Sequence, residues 1–124
     1  MIYIDDAFDG PALRPADAAG RTLMGQWVSV FLSYMDTPVV RQIVIQRLVV
    51  PTRGGEPDEA VIAAAVPKAE HILSVLDAGL ANSDFLLGDN VGIANFMVFP
   101  AIYYLAETLE GGTLLAVAGY VTAW

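Results

Sequence analysis

The feature that most constrains this sequence is an uncharged run of 17 residues, 90–106, between Asp89 and Glu107. A membrane-spanning helix needs about 20 consecutive apolar residues and usually has basic residues beside it. This run is shorter, contains Asn95 and Pro100, and has acidic neighbours. A helix that is apolar all round is otherwise buried in a protein core. We therefore predict a core helix here and no association with a membrane.

Composition places the chain among globular domains with an apolar excess. Apolar residues make up 56% of its 124 residues, against about 45–50% in an average protein. The length corresponds to one domain, and small domains leave much of their surface exposed. We expect this excess to be covered by self-association or by a partner domain.

Charge and cysteine content exclude several classes of function. The net charge is −8, and the six basic residues are scattered along the chain. Binding to nucleic acid requires a basic stripe, so no nucleic-acid partner is expected. The chain has no cysteine, which excludes disulfides, thiolate metal sites and a cysteine nucleophile. This composition fits a cytoplasmic protein.

Hydrophobic periodicity predicts helices along most of the chain. One amphipathic helix should begin at Asp17 and another near Asp58. The apolar stripe of the first consists of Met24, Trp27, Val28, Phe31, Tyr34 and Met35. The stripe of the second consists of Ile62, Ala65, Ala69, Ile72, Leu73, Leu76 and Leu80. The fold class predicted is all-α, a bundle of five or six helices.

Two prolines complicate the helix boundaries. Residues 39–50 are rich in β-branched side chains, which favours a strand, but their length and lack of alternation favour a helix. We predict a separate helix there, with Thr37 as its cap and Pro38 in its first turn. Pro67 lies within the helix that begins near Asp58, so a kink or a break is expected just before it.

The start of the uncharged run has the pattern of a helix N-terminus. If Gly92 is the N-cap, Val91 and Phe96 occupy the two positions of a hydrophobic staple. Asn95 then occupies the third helical position, where a capping box places an acidic or amide side chain. We interpret these four residues as a structural capping motif for a buried helix.

The sequence FLLGDNVGIANFMVFPAIYYL, which contains this motif, resembles the signature of the C-terminal domain of glutathione transferases. The matching residues are Phe85, Leu86, Gly88, Asp89, Ile93, Ala94 and Pro100. The family usually has Ser or Thr where this chain has Gly92, and Asp where it has Asn95. Near the N-terminus, Leu13, Pro15, Asp17 and Trp27 resemble the family's interdomain step. At the C-terminus, Trp124 matches the closing pattern, in which Gly119 replaces a proline.

The resemblance implies a two-part organisation. Residues 1–16 would be a connector and the tail of a thioredoxin-like domain that this chain lacks. Residues 17–124 would be the helical domain, truncated at its C-terminus. In the family the missing domain binds glutathione, the co-substrate, and supplies the group that acts on its thiol. The resemblance also implies a homodimer that pairs through the first helices of the domain.

The resemblance implies that this domain forms the wall of a site for a hydrophobic electrophile. The candidate residues are Trp27, Phe31, Tyr34, Met35 and Tyr103. A stripe at helical spacing is also typical of a bundle core, and that alternative stays open. No catalytic residue and no metal site are predicted: His71 lacks acidic or histidine partners one turn away, and Asp5, Asp6 and Asp9 lack calcium-loop spacing. The alternative function is a non-catalytic protein-interaction module of the same fold.

Overall fold

The structure is a computed structural model that describes residues 2–123, so Trp124 lies outside the described residues. Its helices are α1 (Ile2–Ala7), α2 (Ala18–Val49), α3 (Glu59–Leu80), α4 (Ile93–Ala106) and α5 (Gly111–Leu115). Short 3₁₀ turns occur at Pro51–Arg53 and Val121–Ala123. Within residues 2–123 the only β-type pairing is an isolated bridge between Phe85 and Gly88. The predicted all-α class is confirmed.

The first two predicted helices are one continuous helix, α2. It is α-helical over Ala18–Val30 and π-helical over Phe31–Val49. Pro38 lies inside the π-helical part and is buried. The prediction that Thr37 caps a separate helix is therefore wrong. The N-cap at the start of α2 is Asp17, whose Oδ1 accepts a hydrogen bond of 2.8 Å from the Gly20 N–H.

Core burial explains why α2 continues through its proline. Met35, Val39 and Ile43 are completely buried, and Val44 is nearly so. Residues four to five apart fall on one face when the winding is as wide as that of a π-helix. Each large apolar side chain contributes about 1.5–3 kcal/mol when buried. Together these residues offset the cost of about 3 kcal/mol that proline imposes inside a helix.

Helix α3 has the predicted apolar face in full. All seven predicted stripe residues are buried, from Ile62 to Leu80. Asp58 caps the helix by accepting hydrogen bonds of 3.0 and 3.1 Å from the N–H groups of Ala60 and Val61. The helix does not break before Pro67, whose ring is exposed. The buried stripe is uninterrupted on either side of the proline, which favours one helix.

The uncharged run forms α4, with one face in the core. Helix α2 packs against both α3 and α4. The buried residues of α4 are Ile93, Ala94, Asn95, Val98, Ala101, Ile102 and Leu105. With 14 residues, α4 is about 21 Å long at 1.5 Å per residue, too short for a hydrocarbon layer of about 30 Å.

One helix in the described part of the chain, Ala18–Val49, is long and apolar enough to cross a membrane by length and composition alone. Core helices of soluble proteins often have the same two properties. This helix packs along α3 and α4, and the π-helical part contains five of its buried residues.

Arg47 joins three helices. Its guanidinium bonds to Glu59 at the start of α3, at 2.6 and 2.8 Å, and to Glu110 just before α5, at 2.6–3.1 Å. The side chains of Arg47 and Glu110 are 14% and 16% exposed, so this pair is largely shielded from solvent. Hydrogen bonds from Arg47 hold the pKa values of both glutamates below their usual range.

We predict that Arg47→Met destabilises the fold by about 1–3 kcal/mol, because it removes charge-assisted hydrogen bonds and leaves Glu110 without a cation. Urea unfolding followed by circular dichroism measures the loss. Arg41→Met is the matched control, since Arg41 is two-thirds exposed and, within residues 2–123, pairs only with Asp36; it should change stability by under about 0.5 kcal/mol.

The same variant has a predicted pH dependence. A carboxyl whose native pKa is lowered stabilises the fold above its unfolded pKa and loses that contribution as the pH falls through the native pKa. The difference in stability between the parent and Arg47→Met should therefore be full at neutral pH and shrink below about pH 4. A difference that stays constant into acid would contradict this account of the ion pairs.

Candidate functional site

The N-terminus of α4 is capped by half of a capping box. Gly92 is the N-cap, in an extended conformation, and its N–H donates a 3.1 Å hydrogen bond to Oδ1 of Asn95. Glycine has no side chain with which to return a bond to the helix. The other half of the box, which a Ser or Thr hydroxyl would supply, is therefore missing.

A backbone carbonyl from residues 8–17, the connector between α1 and α2, compensates for the missing cap at the N-terminus of α4. Leu13 O accepts a 3.1 Å hydrogen bond from the Ile93 N–H, the first amide of α4. A Cβ on Gly92 would lie 2.9 Å from Leu13 O and 2.6 Å from Cδ1 of Leu87. The close approach of the connector therefore accounts for glycine at the N-cap position.

Asn95 retains an unsatisfied donor. The residue is 4% exposed, and its Nδ2 has no hydrogen-bond partner among the described residues. A buried amide N–H without an acceptor costs about 1–3 kcal/mol. Aspartate, the residue usual in the resembling family, would have no such donor. Asn95 therefore supports the helix start at some cost to stability.

The outer face of α4 is aromatic and exposed. Phe96, Phe99, Tyr103 and Tyr104 are 49%, 47%, 55% and 52% exposed. Tyr103 contacts Tyr104 edge to face at a centroid distance of 5.4 Å, and Phe99 lies 6.4 Å from Tyr103. The expectation that the whole run is buried is wrong on this side. We call these four residues the aromatic face.

A shallow groove of about 280 Å³ lies at the N-terminal end of the aromatic face. It is lined by Phe85, Val91, Asn95, Phe96, Phe99 and Pro100. Val91 and Phe96, the predicted staple residues, therefore border the same groove, and both are about half exposed. Asn95 is the one residue of the lining with a polar side chain.

Three of the predicted wall residues pack on the core of the bundle. A Cβ on Gly79 would lie 2.5 Å from Cζ2 of Trp27, so the indole packs directly on the backbone of α3. Phe31 is partly buried against the same core, and Met35 is completely buried. The packing of these side chains stabilises the bundle.

The other two predicted wall residues are exposed and lie on different elements. Tyr34 is 68% exposed and borders a groove of about 780 Å³ between α2 and α3, which we call the α2–α3 groove. Lys68 and His71 border it too. Tyr103 is on the aromatic face of α4. The structure therefore does not bring the five predicted wall residues into a single surface.

The described residues contain no group of three or more His, Cys, Asp or Glu side chains that could hold a metal ion. His71 is exposed on the rim of the α2–α3 groove. Ser33 and Thr37 line the same groove, but among the described residues no hydrogen bond joins either hydroxyl to His71. What these surfaces offer is apolar contact with a few polar groups, which is suited to binding.

The contributions of Leu13 and Asp5 to the start of α4 were not predicted from the sequence. Leu13 acts through its backbone carbonyl, which no residue type signals. Asp5 accepts a 2.7 Å hydrogen bond from the Leu13 N–H, whereas the sequence indicated only an acidic connector. A buried acid among three nearby aspartates cannot be distinguished from the exposed ones by spacing alone.

A family model and curated proteins that are similar to this chain point to the same family. Residues 23–121 match the family described as "Glutathione S-transferase, C-terminal domain". Among curated proteins, the chain is 32% identical to glutathione S-transferase 3 of Zea mays over 95% of its length and 52% of the relative's. It is 27% identical to glutathione S-transferase F10 of Arabidopsis thaliana, over 100% of the chain and 58% of the relative.

Solved structures that resemble this chain belong to the same family. A structure of glutathione S-transferase III in its apo form superposes with a TM-score of 0.85 and 31% identity, covering 99% of this chain and 56% of that one. The chain thus spans little more than half the length of the relatives it matches.

We predict that Gly92→Ala destabilises the fold by about 1–3 kcal/mol, because its Cβ would displace Leu13 O and Leu87. Alanine in place of glycine normally stabilises a helix, and Gly25→Ala is the matched control. Gly25 is exposed within α2, and a Cβ at this position would meet no neighbouring side chain within 4 Å, so this change should add about 0.5–1 kcal/mol. Equal effects of the two substitutions in urea unfolding would contradict the close approach at Gly92.

Proposed function

The chain belongs to the family of the glutathione S-transferase C-terminal domain, and from that premise we propose that it is the helical half of a glutathione-dependent transferase. Its task would be to bind an apolar electrophile beside the glutathione held by another part of the protein. The observation that carries this proposal is the exposed aromatic face of α4 on a domain of this family.

The aromatic face has the chemistry that the proposed task requires. Small-molecule sites are mostly apolar, with a few polar groups that fix orientation. The rings of Phe96 and Phe99 offer apolar area, and the hydroxyl of Tyr103 offers one hydrogen-bonding group at the edge of the face. We propose that Tyr103 contacts the electrophile, while Trp27, Phe31 and Met35 stabilise α2 by packing on the core of the bundle.

Glutathione would be bound by a thioredoxin-like domain preceding α1. The chain spans little more than half of its relatives' length, and it has no cysteine. Thiol transfer requires a group that stabilises the glutathione thiolate while it attacks the electrophile. The aromatic face and the α2–α3 groove supply mainly apolar contact instead, so the proposed role of the chain is to position the second substrate. The cysteine-free composition supports a cytoplasmic location.

The α2–α3 groove is the surface that we propose for dimerisation. It has an apolar floor that includes Val30, Pro38 and Ile72, and Tyr34 stands exposed on its rim. A closed two-fold pair would cover the same groove on both chains. Such a pair would also account for part of the apolar excess in the composition.

We predict that the purified chain has no transferase activity and no measurable affinity for glutathione, because the proposed thiol site lies outside it. Isothermal calorimetry with glutathione tests this directly. Saturable binding of glutathione to the chain would contradict the proposed division of labour.

In the full-length protein, Tyr103→Ser should raise the KM for an aryl halide electrophile by about 5–30-fold, the equivalent of roughly 1–2 kcal/mol of lost apolar contact. The KM for glutathione should stay unchanged. Tyr120→Ser is the control, since Tyr120 is equally exposed (52%) but lies beside the loop at residues 81–84. An absence of turnover in the full-length parent would favour an interaction module instead.

We predict that the chain is a dimer at micromolar concentration and that Tyr34→Glu makes it monomeric, because a buried unpaired carboxylate opposes association. Light scattering measures the mass. Leu109→Glu serves as the control, since Leu109 is 83% exposed and does not line the α2–α3 groove. A monomeric parent, or a Tyr34→Glu variant that remains dimeric, would rule out this interface.

A further inference from the structure

The first amide of the core helix depends on a distant part of the chain. The Ile93 N–H of α4 donates to Leu13 O, and Leu13 belongs to the connector between α1 and α2, residues 8–17. Both Gly92 and Ile93 are buried. At a buried helix start, donors that do not find protein acceptors cannot rely on water. The position of the Leu13 carbonyl therefore affects the stability of the first turn of α4.

Asp5 holds that part of the connector in place. Its Oδ1 accepts 2.7 Å from the Leu13 N–H, and its Oδ2 accepts 2.7 Å from Nε of Arg14. The Asp5 side chain is only 6% exposed. The Leu13 N–H first, and then Arg14, lower the pKa of Asp5, which favours the charged form that accepts both bonds. Arg14 is also bonded to Asp6.

The other end of the connector is fixed independently. Asp17 caps α2, and Arg21 bonds to the carbonyl oxygens of Pro15 and Ala16. The connector is thus tied to α1 through Asp5 and to α2 through Asp17 and Arg21. Between these two ties, Leu13 presents its carbonyl to α4.

We propose that residues 8–17 act as a strap, held closed by Asp5, that caps α4 and couples the position of α1 to the order of the groove beside Phe96. Val91 and Phe96, which border that groove, lie immediately before and shortly after the strapped Gly92–Ile93 peptide. Release of the strap frees the Ile93 amide and loosens this end of the groove, while the rest of the bundle stays folded. The inference concerns only contacts within this chain and does not require the proposed enzymatic function.

Amide hydrogen exchange, measured by NMR on the whole chain, reports directly on the strap. Asp5→Ala removes both acceptors of the strap, so the Ile93 amide should exchange about tenfold faster. The amide of Leu73, in the middle of α3, should be unchanged. Asp6→Ala is the matched control, because Asp6 is adjacent, its side chain is 58% exposed, and its one hydrogen-bond partner in the described part of the chain is the Arg14 side chain; its effect should be less than about twofold.

Gly92→Ala tests the same contact from the other side. Its Cβ would push Leu13 O away without altering Asp5, so it too should accelerate exchange of the Ile93 amide. Because both substitutions act on the same Ile93–Leu13 hydrogen bond, the Ile93 amide of the double variant should exchange little faster than that of either single variant.

Any one of three results would contradict the proposed strap. Exchange of Ile93 could be unchanged in Asp5→Ala, exchange of Ile93 and Leu73 could rise in parallel, or the effects of the two substitutions could multiply in the double variant. The parallel rise would mean that Asp5 only stabilises the fold as a whole.

Discussion

The inner face of α4 is buried against α2, and this burial sets requirements that the surrounding structure meets. The N-terminus of α4 lies in the core, where backbone donors need acceptors from the protein. Asn95 Oδ1 accepts from Gly92, and Leu13 O accepts from Ile93. The glycine that weakens the capping box also makes room for the connector carbonyl. Glycine at position 92 therefore removes the hydroxyl cap and at the same time allows the Leu13 carbonyl to cap the helix.

Helix α4 has two faces with different roles. Val98 and Leu105 are buried with α2 in the core, whereas Phe99 and Tyr103 are exposed on the opposite side. A helix whose inner face is buried and whose outer face is aromatic and exposed is suited to bind a ligand or another protein surface on its outer side. On a domain of the glutathione S-transferase C-terminal family, this exposed face is the basis of our proposal that the chain binds an apolar substrate.

The sequence predicted the start and the apolar face of α3 because its apolar period, its N-cap Asp58 and its burial agree, although the helix continues through Pro67 without a break. The prediction from the sequence failed at Pro38. Local proline chemistry indicated a helix start there, but the burial of Met35, Val39 and Ile43 favoured continuation of α2. Such tertiary packing is not encoded in any short window of residues.

The candidate site was predictable only in part. The absence of charge in residues 90–106 identified α4 but could not distinguish its core face from its aromatic face, because both are apolar. The family resemblance implied that Tyr34 and Tyr103 belong to one wall, yet they lie on different surfaces. The cap from Leu13 involves a backbone atom, to which side-chain patterns are blind.

Helix α4 is buried on one face and exposed on the other, and the absence of native cysteine permits a direct test of this arrangement by thiol labelling of single-cysteine variants. Phe99→Cys and Tyr103→Cys should react with a maleimide under native conditions nearly as fast as in urea. Val98→Cys and Leu105→Cys, at positions 2% and 0% exposed, should react at least about a hundredfold more slowly, since labelling there requires opening of the core. Equal reactivity at all four positions would contradict the account.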